Sequence, residues 1–277
     1  MFKTVKDFLH FINIKNIKYI NIIDCKSSIN CLFYCLVDDR QIVVKLYNKF
    51  WIEADSIVKE NIKSSIKYNN FCSNLGVDCV TPWFDDLIFF ANNYWQVFDF
   101  IKNENHEYSF LEIKSIANKM FTNNDFGFLE HRMLKLDNNQ QGVCNKFDRL
   151  LATWIINDCN LDFDGVAHRD LRADNLIYNK KIYIIDFDFS GYRAKIVDDI
   201  AIALDLGLTE IPASLLDVYS MCSIKQALSV LIYEWRCWYN QLAFLSNKCH
   251  KSEMILYRQL NSLENFTIKQ LENWFIV

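Results

Sequence analysis

At 277 residues, with 51% hydrophobic and 23% charged side chains, the chain is long enough for one or two domains with a sizeable core and too apolar for disorder. A formal charge of −4 leaves no basic footprint for nucleic acid or an anionic membrane surface, and neither is expected as a partner. Ten cysteines, without a CxxC pair or a Cys/His cluster at zinc spacing, read as free thiols in a reducing, cytoplasmic compartment.

The N-terminal stretch has no signal-type apolar core, and the longest uncharged run, about residues 87–98, is too short to span a bilayer. "YINIID" (19–24), "CLFYCLV" (31–37) and "QIVVKLY" (41–47) are β-branched and aromatic runs, the last two joined by a turn at Asp38-Asp39-Arg40. A helix is expected from Trp51 to about Asn74, stopping before Gly76. Two further strands, about 86–91 and 94–101, flank an Asn-Asn turn. From about residue 109 the period is helical, with Phe147, Leu150, Leu151, Trp154 and Ile155 on one face. Two short strands, about 175–178 and 181–186, turn at Asn179-Lys180. Helices resume from about 197, where Leu228, Leu231, Trp235, Trp238, Leu242 and Leu245 form an apolar stripe. The reading is an α+β chain with two lobes: a small antiparallel β lobe with one main helix, residues 1–101, and a larger, mostly α lobe, residues 102–277. A cleft between lobes is where ligand sites concentrate.

The stretch "GVAHRDLRADNLIYNKKIYIIDFDFSG" (165–191) carries the chemistry. His168-Arg169-Asp170-Leu171, with Asn175 four residues on, fits H-R-D-L-x-x-x-N, and Asp186 closes the apolar strand "IYIID". Phosphoryl transfer needs an aligned nucleophile and neutralised phosphate charge. Asp170 is the candidate base, and the oxygens of Asn175 and Asp186 suit Mg2+. A charged hairpin loop around a core histidine is the bland alternative; the full set at this spacing favours a nucleotide site.

On these motifs the chain, from about residue 18 to 250, resembles the protein-kinase-like superfold, most closely its aminoglycoside phosphotransferase and choline kinase branch. The resemblance implies an ATP- and Mg2+-dependent enzyme moving phosphate to a hydroxyl of a small molecule, such as an amino alcohol, aminoglycoside, homoserine or sugar. It places Ser28 and Asn30 in the phosphate-covering loop and matches Lys45 in "IVVK" to the lysine that reaches the phosphates. Glu60 is the expected helix partner of Lys45, with Glu53 the competitor. Backbone groups of Phe98 to Phe100 are expected to bond adenine, and Asp199 to brace the catalytic loop. His168 is read as structural. Asp188, Asp205 and Glu210 are candidate acceptor contacts, and Trp235, Trp238 and Tyr239 fit either an aromatic wall for an ammonium group or plain core.

Three departures qualify the resemblance. No glycine occurs between residues 18 and 37, DFD stands where protein kinases have DFG, and Asp199 follows Asp186 by only thirteen residues. That interval leaves no room for a peptide-binding activation segment. Arg169, by contrast, is a protein-kinase feature without an evident partner. A protein kinase and a nucleotide-binding pseudokinase acting as an interaction module are the alternatives.

Overall fold

Alternating burial along residues 31–46 marks strands with one face turned into a core. The computed structural model describes residues 1–23, 29–54, 56–129, 164–246, 253–256, 258 and 268–275. Ser28 and the helical face expected at 147–155 lie outside the described residues. Strands β1 (Ile17–Ile23), β2 (Cys31–Val37), β3 (Arg40–Leu46), β4 (Ile88–Phe90) and β5 (Asn93–Asp99) form one antiparallel sheet, ordered β1-β2-β3-β5-β4. The β2–β3 hairpin is closed by Asp38 and Asp39, both at positive φ (45° and 66°), as a two-residue turn requires. The β4–β5 turn sits on Ala91-Asn92, one residue earlier than the Asn-Asn pair suggests.

Along β2 and β3, Phe33, Cys35, Ile42 and Val44 point to one face. A helix not expected from the sequence, α1 (Phe2–Phe11), covers that face with Val5, Phe8 and Leu9. Phe8 stacks on Trp95 with ring centroids 4.6 Å apart, a contact worth about 0.5–1.5 kcal/mol beyond the area it buries. Lys45, next to Val44, therefore faces the opposite side, toward the second lobe.

Helices α2 (Lys49–Ala54) and α3 (Ser56–Asn74) follow β3. The far half of α3 belongs to the core of the second lobe: Tyr68 is fully buried there and donates to the Met120 carbonyl at 3.0 Å. That core is built from α4 (Phe110–Met120), α5 (Lys195–Asp205), α7 (Met221–Ser246) and α8 (Ile268–Phe275), with the one-turn α6 (Ala213–Leu216) at its margin. Ser109 caps α4 reciprocally with Glu112, a pairing that satisfies two otherwise orphaned donors. Just past β5, Asn103 accepts from Tyr178 N–H (2.9 Å), and His106 stacks on the Tyr178 ring at 4.2 Å. The hairpin β7 (Leu176–Asn179) and β8 (Lys181–Ile184) turns at Lys180, and β6 (Gly165–Ala167) pairs with β9 (Gly191–Arg193). No helix among the described residues is long and apolar enough to cross a membrane.

Candidate active site

The strand that leads into the Asp170 loop, β6, starts at a point where only glycine fits. A Cβ on Gly165 would lie 2.5 Å from the Phe121 ring and 2.9 Å from the Thr122 carbonyl. His168, 1% exposed, then donates through Nε2 to the Ile185 carbonyl (3.0 Å) and accepts from Asp170 N–H through Nδ1 (3.3 Å). Burial holds its pKa down to about 4, so the ring is neutral and ties the loop to the strand that presents Asp186. Its one ring proton is committed to the Ile185 carbonyl, so it acts as a brace.

Asn175, on a 3-10 turn at the head of β7, donates to Asp170 Oδ2 at 2.6 Å and to the Asp170 carbonyl at 2.9 Å. Arg172 stands 3.3 Å from the other carboxylate oxygen. Burial nonetheless lifts the Asp170 carboxyl to about 7, against the pull of Arg172 and with added repulsion from Asp205 and Asp186. A carboxyl poised near neutral pH is suited to proton exchange with a hydroxyl.

Across the cleft, Lys45 reaches Asp186 Oδ1 and Asp188 Oδ2, both at 2.7 Å. Burial disfavours its charge, but the two carboxylates outweigh that and hold the lysine well above its ordinary value. Asp186 is turned inward by a left-handed backbone (φ 58°). Its burial is overcome by the Lys45 charge, and its carboxyl stays below the ordinary range. Asp188 is pushed up to about 6 by burial, with Lys45 opposing and Asp186 adding. It also accepts from Tyr47 Oη (3.2 Å) and, at 3.5 Å, from Asn30 Nδ2. Asn30 Oδ1 in turn takes the Asn48 N–H at 3.0 Å, tying the end of the glycine-free loop to β3.

The expected helix partner of Lys45 is not found on α2 or α3. Glu53 pairs with Lys49 (3.7 Å) and Glu60 with Lys63 (3.6 Å), both on solvent-facing turns. Asp186 and Asp188 take the place assigned to them. Near Glu60 on α3, it is Asn61 that faces the second lobe, where it donates to the Leu129 carbonyl and accepts its N–H at 2.9 and 2.7 Å.

Within the Phe98 to Phe100 segment, only the middle residue has its backbone turned away from β3. Phe100 N–H donates to the Gln41 carbonyl (3.0 Å), and Phe98 is the hydrogen-bonded partner of Val43 two positions back. The antiparallel alternation therefore turns the backbone of Asp99, between them, to the opposite edge. Asp199 does not brace the catalytic loop: it bonds Lys195, Lys114 (3.6 Å) and Tyr219 (3.1 Å). Its neighbour Asp198 holds Arg193 at 3.1 Å, and Arg193 and Arg169 share Glu234 of α7.

A cavity of about 690 Å³ is lined by Asp170, Asn175, Asp186 and Asp188 together with Trp51, Phe189 and the α7 residues Trp235, Trp238 and Tyr239. The α7 aromatics are thus core and wall at once, because Trp235, Trp238 and Tyr239 also pack against buried neighbours. Asp205 lines the cavity, whereas Glu210 is exposed and does not.

No protein-family model matches the chain, and no curated protein sequence matches it. Solved structures do. A spectinomycin phosphotransferase in complex with ADP and spectinomycin superposes with a TM-score of 0.55 at 13% identity, over 97% of this chain and 96% of its own. An aminoglycoside 2'-phosphotransferase in a GDP complex gives 0.57 at 9% identity, over 95% and 98%. A putative fructosamine-3-kinase from Haemophilus somnus gives 0.52 at 12% identity, over 99% and 96%. The chain has the protein-kinase-like fold of these phosphotransferases.

Arg172, Asp198, Arg193 and Glu234 were not singled out for the roles they take. Arg172 was legible, lying two residues past Asp170. The others come from three separate elements, and no spacing rule joins them.

Proposed function

We propose that the chain is a nucleotide-dependent phosphotransferase that moves the γ-phosphate of ATP to a hydroxyl of a small molecule. The observation that carries this reading is the convergence of Asp170, Asn175 and Asp186 on one cavity of about 690 Å³, with Lys45 bonded to Asp186. That volume is within the range of small-ligand sites.

In this mechanism Asp170 accepts the proton of the acceptor hydroxyl and aims its oxygen at the phosphorus, while Asn175 and Arg172 hold the carboxylate in place. A base of this kind contributes on the order of 10²–10⁴ in rate. Lys45, released from Asp188, neutralises the nucleotide phosphates. Asn175 Oδ1 and Asp186 Oδ2 take no hydrogen bond from the described residues. An amide oxygen and a carboxylate oxygen so left suit a hard cation, and these two residues would hold Mg2+. The chemistry the ion supplies is charge neutralisation on phosphate oxygens.

Residues 1–101 form the nucleotide lobe in this reading, with the adenine edge against the outward-facing backbone of Asp99. Residues 102–277 supply the acceptor site, where Asp205 and the aromatic wall of α7 receive the small molecule. The free state of Cys31, Cys35, Cys72, Cys79, Cys222 and Cys237 accords with work in the reducing cytoplasm. The segment after Asp186 supports a small acceptor over a peptide: it passes at once into β9, paired with β6, and then into α5.

The test is ADP release with a panel of amino alcohols, aminoglycosides, hydroxy amino acids and sugars. Turnover with at least one is expected, with Asp170→Ala abolishing it while ADP still binds. Magnesium-dependent nucleotide binding without turnover on any acceptor would favour the pseudokinase, and phosphate transfer to protein alone would favour a protein kinase.

A further inference from the structure

Arg169 sits in the middle of the candidate catalytic loop with a left-handed backbone (φ 67°), a strained setting for a residue with a Cβ. Its side chain borders the cavity and reaches α7. There Nη2 meets Glu234 Oε1 at 3.0 Å. The other oxygen of Glu234 is held by Arg193, and Arg193 is held in turn by Asp198 at 3.1 Å. Four elements meet in this chain of charges: the catalytic loop, β9, α5 and α7. Arg193 and Asp198, at 3% and 2% exposed, form the buried end of the network, while Arg169 and Glu234 border the cavity.

Two observations show that the arrangement is built. A Cβ on Gly191 would touch nothing but Arg169, at 3.0 Å from Nη1, and Gly191 has an ordinary negative φ. Space for the arginine is thus the local demand on that position. Glu234 also precedes Trp235 and lies one turn before Trp238, residues that wall the cavity.

We propose that Glu234 is a positioning residue: by holding Arg169 it sets the conformation of the catalytic loop and couples that loop to the acceptor wall on α7. The loop is thereby held by a carboxylate already in the fold, with no need of an added phosphate group. Removing the carboxylate leaves Arg169 without its partner and frees the strained loop to relax. A displacement of about 1 Å at a reacting group is enough to lower a rate about 10²-fold.

The kinetic part rests on the phosphotransfer reading; the conformational part does not, and the test separates them. In Glu234→Gln, amide hydrogen exchange of residues 166–172 should rise about tenfold or more, while that of the β7–β8 hairpin stays as in the unaltered protein. Affinity for ADP with Mg2+ should stay within about twofold, and kcat should fall about 10- to 100-fold at unchanged nucleotide KM. Gly191→Ala, which keeps Glu234 and crowds only Arg169, should give the same local rise. Unchanged loop exchange in a folded Glu234→Gln protein overturns the proposal. Should that variant not fold, Gly191→Ala decides by the same criterion; failure of both to fold makes the network a general folding element and also overturns it. Absence of turnover in the unaltered protein removes the phosphotransfer reading, and the exchange result still stands or falls by itself.

Discussion

Asp170→Asn should inactivate the protein and stabilise it, by an amount that grows with pH. Burial raises the Asp170 carboxyl from 3.8 to about 7, so the folded protein keeps a proton that the unfolded chain gives up. A carboxyl shifted this way opposes folding above its unfolded pKa, and the penalty grows until the folded pKa is passed. At about 1.36 kcal/mol per pH unit, the penalty is close to zero below pH 4, about 1.5 kcal/mol at pH 5 and about 4 kcal/mol at pH 8. The side chain is only 20% exposed, so solvent screening removes little of it. Asparagine has nearly the same shape and never ionises; Asn175 still finds an oxygen to bond. For a chain of this size about 2 °C accompanies each kcal/mol, so Tm should rise by about 8 °C at pH 8 and about 3 °C at pH 5. Thermal unfolding of both proteins across pH 4–8 measures this, alongside turnover on the best acceptor. A Tm gain that is flat or shrinks as pH rises would refute the buried, proton-holding carboxylate, and near-normal turnover would refute the base.

Lys45→Met leaves Asp186 and Asp188 facing each other without their cation. Stability at pH 8 should fall by about 3–5 kcal/mol, with partial recovery near pH 5 as Asp188 takes up a proton, read from denaturant midpoints. Equal midpoints at pH 8 would show that the lysine does not hold the pair together. His168→Gln removes a ring whose pKa lies at about 4 in the fold and 6.5 outside it. The protein with His168 loses stability as pH falls through that window, by up to about 3 kcal/mol, and the glutamine variant should lack this loss. Parallel Tm profiles between pH 4 and 7 would contradict the neutral buried ring. Gly165→Ala forces a Cβ against Phe121 and the Thr122 backbone, and overpacking of this kind costs about 1–3 kcal/mol. An alanine variant as stable as the unaltered chain would show that the β6 edge yields more than its packing indicates.

The local content of the site was legible in the chain. Strand runs, the turns at Asp38-Asp39 and Asn179-Lys180, and the spacing of Asp170, Asn175 and Asp186 are short-range, and a loop between two paired strands brings such residues together however the rest packs. The partners of Lys45 were not legible. A glutamate on the following helix looked equivalent to any other, and only packing of α3 by Tyr68 and Asn61 turned Glu60 to solvent and left the lysine to Asp186 and Asp188. Helix α1 escaped notice because its Val5, Phe8 and Leu9 mean little until the sheet face beneath them exists. The same holds for Arg169. Its charge and its place in the loop are written in the sequence, but Glu234 lies 65 positions away on a helix whose polar residues alone do not reveal which way they face. Local spacing determined which candidate groups come together in the site. Long-range packing decided which charges hold them, because burying an ion requires a partner at contact distance, and only the folded chain sets that distance.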